Sequence, residues 1–432
     1  MRMIHIRNAS QVVTVSGASA APKRGKEMEQ LDIIEGGGVV IEEGVIVFVG
    51  EEEEAGKYVE LHGGNGKEVT VIPAEGKIVT PGLIDPHTHL VFAGSREFEL
   101  NLRLQGASYM DILNAGGGIL HSTLQTREAD EEQLLMEAGK RLDRFLTHGV
   151  TTIEAKSGYG LRLEDELKQL RVARTLDSTH PVDVVSTFMG AHAVPAEYKH
   201  DPEAYVRSVI EDMIPVVAQA GLAEFCDVFC EEGVFTVEQS RRILQAGREQ
   251  GLKPKIHADE IVPFGGAELA AEVGAVSADH LLHASEAGIR AMARSGVIAV
   301  LLPGTAFFLM AKPADARAMI AAGVPVALST DRNPGSSPTE SLPFMMNLAC
   351  LTMRMTPAEV LTACTINAAH AIGRGDRIGS IEVGKQADLV LFDAPNYMYL
   401  QYHYAVNLVD TVIKKGRPVY EQSAHQFRPT QS

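Results

Sequence analysis

The stretch GLIDPHTHLVFAG, residues 82–94, is mostly apolar and carries two histidines one residue apart. Along a β-strand the side chains alternate between two faces, so positions i and i+2 point the same way, with Cα atoms roughly 7 Å apart. We therefore expect His87 and His89 to face one side together, at the point where this run ends. Two neutral imidazoles placed in this way can converge on one cation.

A regular alternation of short β-branched runs and longer stretches with helical periodicity begins near residue 77. Near-continuous apolar strands separated by helices are typical of a parallel sheet that is buried on both faces. Eight such runs favour a closed (β/α)8 barrel over an open sheet. The runs are residues 77–89, 149–157, 181–192, 223–232, 253–260, 276–283, 296–304 and 325–333.

Both ends of the chain have a different pattern, with short alternating strands joined by glycine turns and no helices between them. GGVVIEEGVIVFVGEE lies near one end, and GKQADLVLFDAP and VDTVIKKGRPVY lie near the other. We expect residues 1–76 and 375–432 to build one smaller β-sandwich domain together. The barrel domain, residues 77–374, is then inserted between its two parts. The expected fold class is α/β, a TIM-like barrel with a second, smaller β domain.

The composition limits the classes of partner. The chain has 432 residues, of which 45% are hydrophobic, and a formal net charge of −17. Such a chain can bury a sizeable core. Its negative charge repels nucleic acid and anionic membranes at long range, so neither is an expected partner. Because the four cysteines lack disulfide spacing and no apolar run is long enough for a membrane span, we expect reduced thiols and a cytoplasmic location.

Polar side chains collect at the ends of the predicted strands, where the active sites of such barrels lie. In addition to His87 and His89, the fifth strand ends with His257 and the eighth with Asp331. Three histidines and one carboxylate suit Zn²⁺, and less selectively Fe or Mn. An HxH pair alone is a weak signal, but two further strand-end ligands make it much stronger. The sequence therefore predicts a metal ion at the barrel mouth.

Other strand-end residues have both a functional and a structural interpretation. Glu260 is either a solvated loop carboxylate or, beside a metal, a candidate general base. The position of His280 at a strand end favours a functional role over that of a core histidine. We interpret His283, which points to the opposite face, as structural. Lys156 is interpreted as an ion-paired residue inside the barrel rather than as a nucleophile.

Several motifs make the chain resemble the amidohydrolase superfamily over essentially its whole length. They are PGLIDPHTHLVFAGSRE, EAKSGYGL, TFMGAHAVP, KIHADE, STDRNPGS and the flanking GKQADLVLFD. The likeness is greatest to members that hydrolyse 4-imidazolone-5-propanoate to N-formimidoyl-L-glutamate in histidine degradation. The resemblance implies this reaction, a small anionic imidazolone substrate and a homodimer. The fourth strand, FCDVFCEEG, has no lysine to bridge two metals, so one ion is expected, Zn²⁺ first and Fe as the alternative.

The resemblance also implies roles for individual residues. The metal ligands carry over to His87, His89, His257 and Asp331, and Glu260 and His280 match the residues beside the attacking water. Substrate contacts carry over to Arg96, Tyr109, Tyr159, His192, Glu260, Asn333, Gly335 and Ser336. The expected step is attack of an activated water on the ring carbonyl, with Glu260 or Asp331 as the catalytic base. Arg96 would bind the propanoate tail through two hydrogen bonds.

Two alternative functions stay open on these residues. One is a sibling enzyme, either a cytosine or guanine deaminase or a hydantoinase-like cyclic amidase. Arg96 and the EAKSGYG segment favour an anionic imidazolone over a neutral base. The other is a non-catalytic scaffold of the same fold, which is disfavoured because all four candidate ligands and Glu260 are present.

Overall fold

The computed structural model describes residues 2–63, 68–106 and 116–422, and its strands form two sheets. The strands are β1 (Arg2–Val13), β2 (Ile33–Glu42), β3 (Val45–Glu51), β4 (Glu68–Pro73), β5 (Ile78–Pro81), β6 (Leu83–Thr88), β7 (Val150–Lys156), β8 (Asp183–Ala191), β9 (Phe225–Cys230), β10 (Lys253–Ala258), β11 (Ser277–His280), β12 (Ile298–Leu301), β13 (Val326–Leu328), β14 (Leu389–Phe392), β15 (Val409–Lys414) and β16 (Arg417–Glu421).

Strands β6 to β13 form a barrel. They pair in chain order, and each strand is parallel to the next. Each of them lies within one of the eight runs found in the sequence, so the predicted (β/α)8 barrel is confirmed. Most residues of these strands are buried, as expected for a parallel sheet covered on both faces.

The barrel is closed between β13 and β6 by a few specific contacts. Thr88 and Arg332 form an isolated parallel bridge, and the His89 amide donates to the Arg332 carbonyl oxygen at 2.8 Å. The hydroxyl of Ser329 donates to the His87 carbonyl oxygen at 2.7 Å. These bonds bring the end of the eighth barrel strand against the end of the first, where the two histidines of the HxH pair lie.

Helices connect the strands and cover the barrel. In the helix Glu131–Thr147, Asp130 caps the first turn by accepting a backbone hydrogen bond, and the buried Leu134, Ala138 and Leu142 form one apolar stripe. The other α-helices in the described residues are Glu52–His62, Glu97–Leu104, Ile119–Glu128, Leu163–Thr179, Pro202–Ser208, Ile214–Ala220, Val237–Glu249, Gly266–Val273, Glu286–Ser295, Pro303–Phe308, Ala316–Ala321, Leu342–Met353, Pro357–Ala363, Ile366–Ala371 and Tyr399–Tyr402. Two 3-10 helices (Gly25–Glu29 and Ala196–Tyr198) and one π-helical turn (Val209–Met213) complete the helical elements described.

The strands from the two chain ends form a separate mixed sheet, in the order β16-β15-β14-β5-β1-β2-β3, with β4 parallel to β1. Strand β14 from the C-terminal part lies antiparallel to β5 from the N-terminal part, so the sheet joins both ends of the chain. It has its own apolar cluster, which includes Ile6, Val39 and Leu391. The prediction of a second β unit built from both ends is confirmed, and all eight strands belong to one hydrogen-bonded sheet.

The chain passes from the end sheet into the barrel at Gly82. The preceding strand, β5, pairs with β1 and β14, whereas β6 starts the barrel at Leu83. A Cβ at Gly82 would overlap the side chain of Thr151 on the neighbouring barrel strand. Glycine is therefore required by close packing at the junction of the two sheets.

One detail of the sequence interpretation was wrong. The chain ends were expected to lack helices, but Glu52–His62 is an α-helix that packs on the end sheet, and Tyr399–Tyr402 is a short α-helix in the C-terminal part. Three of its acidic residues lie in its first turn, where negative side chains interact favourably with the helix dipole. Ala55 faces inward and is fully buried.

In the described part of the chain, helices that combine the length and the hydropathy of a membrane span are absent. The four cysteines are free thiols, and Cys226, Cys230 and Cys364 are buried.

Candidate metal centre and active site

The four side chains predicted to bind a metal lie together at the carboxyl end of the barrel. Nε2 of His87 is 3.4 Å from Oδ1 of Asp331, and Nε2 of His89 is 3.9 Å from the same oxygen. The rings of His87 and His257 have centroids 4.5 Å apart. Strands β6 and β10 and the segment after β13, which are distant in sequence, therefore present their polar side chains to one point.

Two buried carboxylates determine which nitrogen of each histidine is free. Nδ1 of His87 donates to Asp279 at 2.6 Å, and Nδ1 of His257 donates to Asp227 at 3.2 Å. Each Nε2 is then the unprotonated nitrogen, and both Nε2 atoms are buried without a hydrogen-bond partner. Buried polar atoms are rarely left unpaired, and this carboxylate–histidine arrangement is the one that orients metal-binding imidazoles.

The protonation states of the cluster suit a cation. Burial lowers the pKa of His87 and His89 well below the usual value, so both imidazoles are neutral at neutral pH. Burial also raises the pKa of Asp331 to about 6, although a hydrogen bond from Thr305 opposes this shift. In the described residues, the donor atoms of three groups lie within 4.8 Å of one another, namely His87, His89 and Asp331; His87, His257 and His280; and Asp227, His257 and Asp279. This donor set fits a metal ion.

Glu260 and His280 lie beside these ligands. Nδ1 of His280 is 3.6 Å from Oε1 of Glu260, and the two rings of His280 and His257 have centroids 5.1 Å apart. Burial, together with repulsion from Asp331 and Glu231, raises the pKa of Glu260 to about 8. A carboxyl group with such a pKa can exchange a proton near neutral pH.

Two of the predicted substrate contacts, Tyr159 and His192, flank His89. The His192 ring stacks on the His89 ring with centroids 4.6 Å apart, and Tyr159 meets both rings edge-on. Nδ1 of His192 donates to the Gly158 carbonyl oxygen at 3.0 Å, which leaves Nε2 as an acceptor. Burial lowers the pKa of His192 to about 3, so this ring is also neutral.

A turn after β13 brings the next three predicted contacts together. Oδ1 of Asn333 accepts hydrogen bonds from the amides of Gly335 and Ser336, each at 2.8 Å. The guanidinium group of Arg96 lies directly against this turn, since a Cβ on Gly335 would overlap it. Only glycine at position 335 leaves room for the guanidinium group to approach the turn this closely.

Arg96 is itself held by a carboxylate. Its Nε lies 3.1 Å from Oε1 of Glu99, which is almost fully buried and also pairs with Arg103 at 3.1 Å. Of the other guanidinium nitrogens, Nη2 lies against the turn at Gly335. Tyr109, the remaining predicted substrate contact, lies outside the described residues.

Sequence analysis assigned no role to several residues that support the cluster, although Glu231 and Thr305 were recognised as polar residues at strand ends. The supporting residues are Asp227, Asp279, Thr305, Glu99 and Glu231, the last of which accepts from the amides of residues 260 and 261. Two of these carboxylates were detectable as single charges inside apolar strands, in FCDVFC and VSADH. Their partners could not be identified, because the pairing joins strands far apart in the chain.

A (β/α)8 barrel with buried histidines and a carboxylate at the carboxyl ends of its strands is the architecture of a metal-dependent hydrolase. The model of the amidohydrolase family matches residues 78–419, and the chain belongs to this family. Relatives that it resembles include imidazolonepropionases from several bacteria. The one from Shouchella clausii (strain KSM-K16) is 68% identical over 419 residues, which cover 97% of this chain and 93% of that relative.

Solved structures share the fold at much lower identity. Guanine deaminase from E. coli is 14% identical with a TM-score of 0.73, and the match covers 97% of this chain and 99% of that one. An adenosine deaminase from Xanthomonas campestris, solved with bound zinc, is 20% identical with a TM-score of 0.69 over 98% of this chain and 93% of that one. At this level of identity the likeness establishes the fold alone.

Proposed function

We propose that the chain hydrolyses the ring C–N bond of 4-imidazolone-5-propanoate and releases N-formimidoyl-L-glutamate, a step of histidine degradation. The observation that supports this most strongly is the buried cluster of His87, His257 and Asp331, in which both histidine Nε2 atoms lack a partner. High identity to an imidazolonepropionase over nearly the whole chain supports the choice of substrate.

We assign His87, His89, His257 and Asp331 as the ligands of one metal ion, Zn²⁺ first and Fe as the alternative. Neutral imidazoles and a carboxylate are donors that both metals accept. A cation at this position makes water more acidic and polarises a carbonyl group, which is the chemistry that opening a cyclic amide needs.

Glu260 is our candidate for the general base. It would take a proton from the attacking water and return it to the ring nitrogen as the C–N bond breaks. Its raised pKa, about 8, supports this role, because the carboxyl group can then hold the proton between the two steps. Asp331 is less suited, since Oδ2 accepts from Thr305 and Oδ1 faces His87. His280, 3.6 Å from Glu260, would orient the water.

The substrate would be held by the residues around this centre. Its propanoate tail is anionic, and a chain with net charge −17 needs a dedicated cation to bind it. Arg96 is that cation in our proposal, because a planar guanidinium binds a carboxylate through two parallel hydrogen bonds. The ring would lie between His192 and Tyr159 on one side and the turn at Ser336 on the other.

Turnover of freshly generated imidazolone propanoate, followed by its loss of ultraviolet absorbance, tests the proposal. We expect turnover that a chelator abolishes and added Zn²⁺ or Fe restores. The variant His257→Gln should lose bound metal and activity, whereas His283→Gln, the same change at a histidine outside the cluster, should keep both. Turnover that is insensitive to the chelator would contradict the assigned centre.

The same assay separates the alternative enzymes. Cytosine, guanine and hydantoin are offered to the protein under identical conditions. Turnover of one of these neutral compounds without turnover of the imidazolone would reject the proposed substrate and favour a sibling amidohydrolase. If the purified protein holds no metal and turns over none of these compounds, the result would favour the alternative of a non-catalytic scaffold.

A homodimer in the cytoplasm, without nucleic-acid or membrane partners, remains part of the proposal. The net charge of −17 supports the absence of polyanionic partners. Sedimentation equilibrium of the purified protein would measure its assembly state directly.

A further inference from the structure

Beneath the candidate metal centre, one ammonium group sits among three carboxylates inside the barrel. Nζ of Lys156 lies 3.0 Å from Glu154, 2.7 Å from Asp227 and 3.3 Å from Asp279. All four side chains are fully buried. An ammonium group has three N–H donors, so each carboxylate can receive one of them.

Two of these carboxylates are the ones that hold the metal-binding histidines. Asp279 accepts from Nδ1 of His87 at 2.6 Å, and Asp227 accepts from Nδ1 of His257 at 3.2 Å. The same oxygen of Asp279 faces both His87 and Lys156. Lys156 therefore contacts the hydrogen-bond partners of two candidate metal ligands, which lie on different strands.

We propose that Lys156 is a positioning residue that acts through Asp227 and Asp279 to aim Nε2 of His87 and of His257 at a single metal ion. This inference rests on the proposed metal-dependent function and adds a residue to it. The described polar contacts of Lys156 are with Glu154, Asp227 and Asp279, and none of them is with His87, His89, His257 or Asp331.

The physical reason lies in the cost of burying like charges together. Without the ammonium group, Asp227 and Asp279 would lie close to each other and to Glu154 with much less positive charge to offset their repulsion. Removing one partner from a buried ion-pair network is strongly destabilising, because the remaining charges are uncompensated. The carboxylates would move apart. The imidazoles of His87 and His257, which they orient, would then no longer point at the same position.

The chain offers a matched control in Lys255. It too is fully buried inside the barrel, and its Nζ pairs with the other oxygen of Glu154 at 2.7 Å. Its second contact, at 3.2 Å, is the carbonyl oxygen of Pro86. It makes no described ion pair with Asp227 or Asp279, so it shares the burial of Lys156 but lacks the carboxylate contacts through which Lys156 reaches the two imidazoles.

The test compares Lys156→Met with Lys255→Met in the full-length protein. Metal is removed with a chelator, and Co²⁺ is titrated back in competition with a chromophoric chelator. Loss of a residue that orients metal ligands typically lowers metal affinity about 10- to 100-fold, and we expect this range for Lys156→Met. The visible absorption of bound Co²⁺, which reports the ligand geometry, should also change. Lys255→Met should lower the affinity by a much smaller factor, and its Co²⁺ spectrum should match the wild type.

Asp279→Asn provides a second measurement that does not depend on the folding of the lysine variant. It keeps the shape of the side chain, removes its charge, and should weaken Co²⁺ binding by a similar factor. In the double variant the two losses should be smaller than additive, because both act through the same contact.

Equal Co²⁺ affinities for the two lysine variants, or an unchanged affinity in Asp279→Asn, would overturn the role of Lys156. If the wild-type protein binds no Co²⁺ at all, the proposed metal-dependent function itself fails. The two failures are therefore distinguishable.

Discussion

The hydroxyl of Thr305, which follows β12, donates a hydrogen bond of 2.6 Å to Oδ2 of Asp331, which follows β13. Both residues are buried. The other oxygen of Asp331 faces His87 at 3.4 Å and His89 at 3.9 Å. Thr305 thus fixes one oxygen of the carboxylate and leaves the other directed at the two histidines.

We expect the isosteric change Thr305→Val to weaken this arrangement. Leaving a buried acceptor unpaired costs about 1–3 kcal/mol, so the free energy of unfolding of the metal-free protein should fall by that amount. Metal affinity should fall by about 10-fold, because Asp331 is less well oriented. Urea unfolding and chelator competition measure the two effects.

Thr362→Val is the matched control for that change. Thr362 is also fully buried and donates to the carbonyl oxygen of Met28 at 2.8 Å, away from the cluster. The Thr362→Val variant should have a lower free energy of unfolding, while its metal affinity stays unchanged. Equal metal affinities in the two valine variants would contradict the role given to Thr305.

Replacement of Arg96 tests recognition of the propanoate tail. A hydrogen bond to a charged group contributes about 1.5–3 kcal/mol, so Arg96→Ala should lower kcat/KM by about 10- to 100-fold, mainly through KM. Arg96→Lys should recover only part of this loss, because lysine lacks the two-pronged geometry of the guanidinium. Arg103→Lys, which alters the other partner of Glu99, should have a smaller effect. An unchanged KM in Arg96→Ala, with unchanged metal content, would reject the assignment.

The role of Glu260 predicts a defect in the chemical step. Glu260→Gln keeps the shape of the side chain but cannot accept the proton, and general acid–base catalysis contributes about 10²- to 10⁴-fold to such reactions. We expect kcat to fall within this range while KM and metal content change little. Steady-state kinetics with metal analysis of the same sample gives all three quantities. A normal kcat would shift the role of base to Asp331.

The pH dependence of stability provides an independent check on Glu260. In the metal-free protein its pKa is raised from 4.5 to about 8, first by burial and then by the charges of Asp331 and Glu231. The folded protein then holds a proton that the unfolded chain has released over this interval. The resulting stabilisation is fully present below about pH 4.5 and is lost as the pH rises toward about 8.

Urea unfolding of the metal-free protein between pH 5 and 8 should show a smaller loss of stability in Glu260→Gln than in the wild type. Comparing the two proteins isolates this group from others that titrate in the same interval. Parallel pH profiles would show that Glu260 has an ordinary pKa in the folded protein.

Much of the architecture could be predicted from the sequence, since it depends on local patterns. Eight apolar runs separated by helical periodicity predict the barrel, and each contains one of its strands. The alternating strands at both chain ends predict the second sheet. The helix Glu52–His62 was missed because its acidic first turn resembles a solvated loop until Ala55 is seen to pack on the sheet.

The sequence by itself determined that His87 and His89 point the same way, because side-chain alternation along one strand is a local property. It also placed His257 and Asp331 at the ends of other strands. Only the tertiary structure decided that Asp279 holds His87, that Asp227 holds His257, and that Lys156 joins the two carboxylates. These contacts connect strands separated by many residues, and their pairing depends on the closure and register of the barrel, which no local pattern encodes.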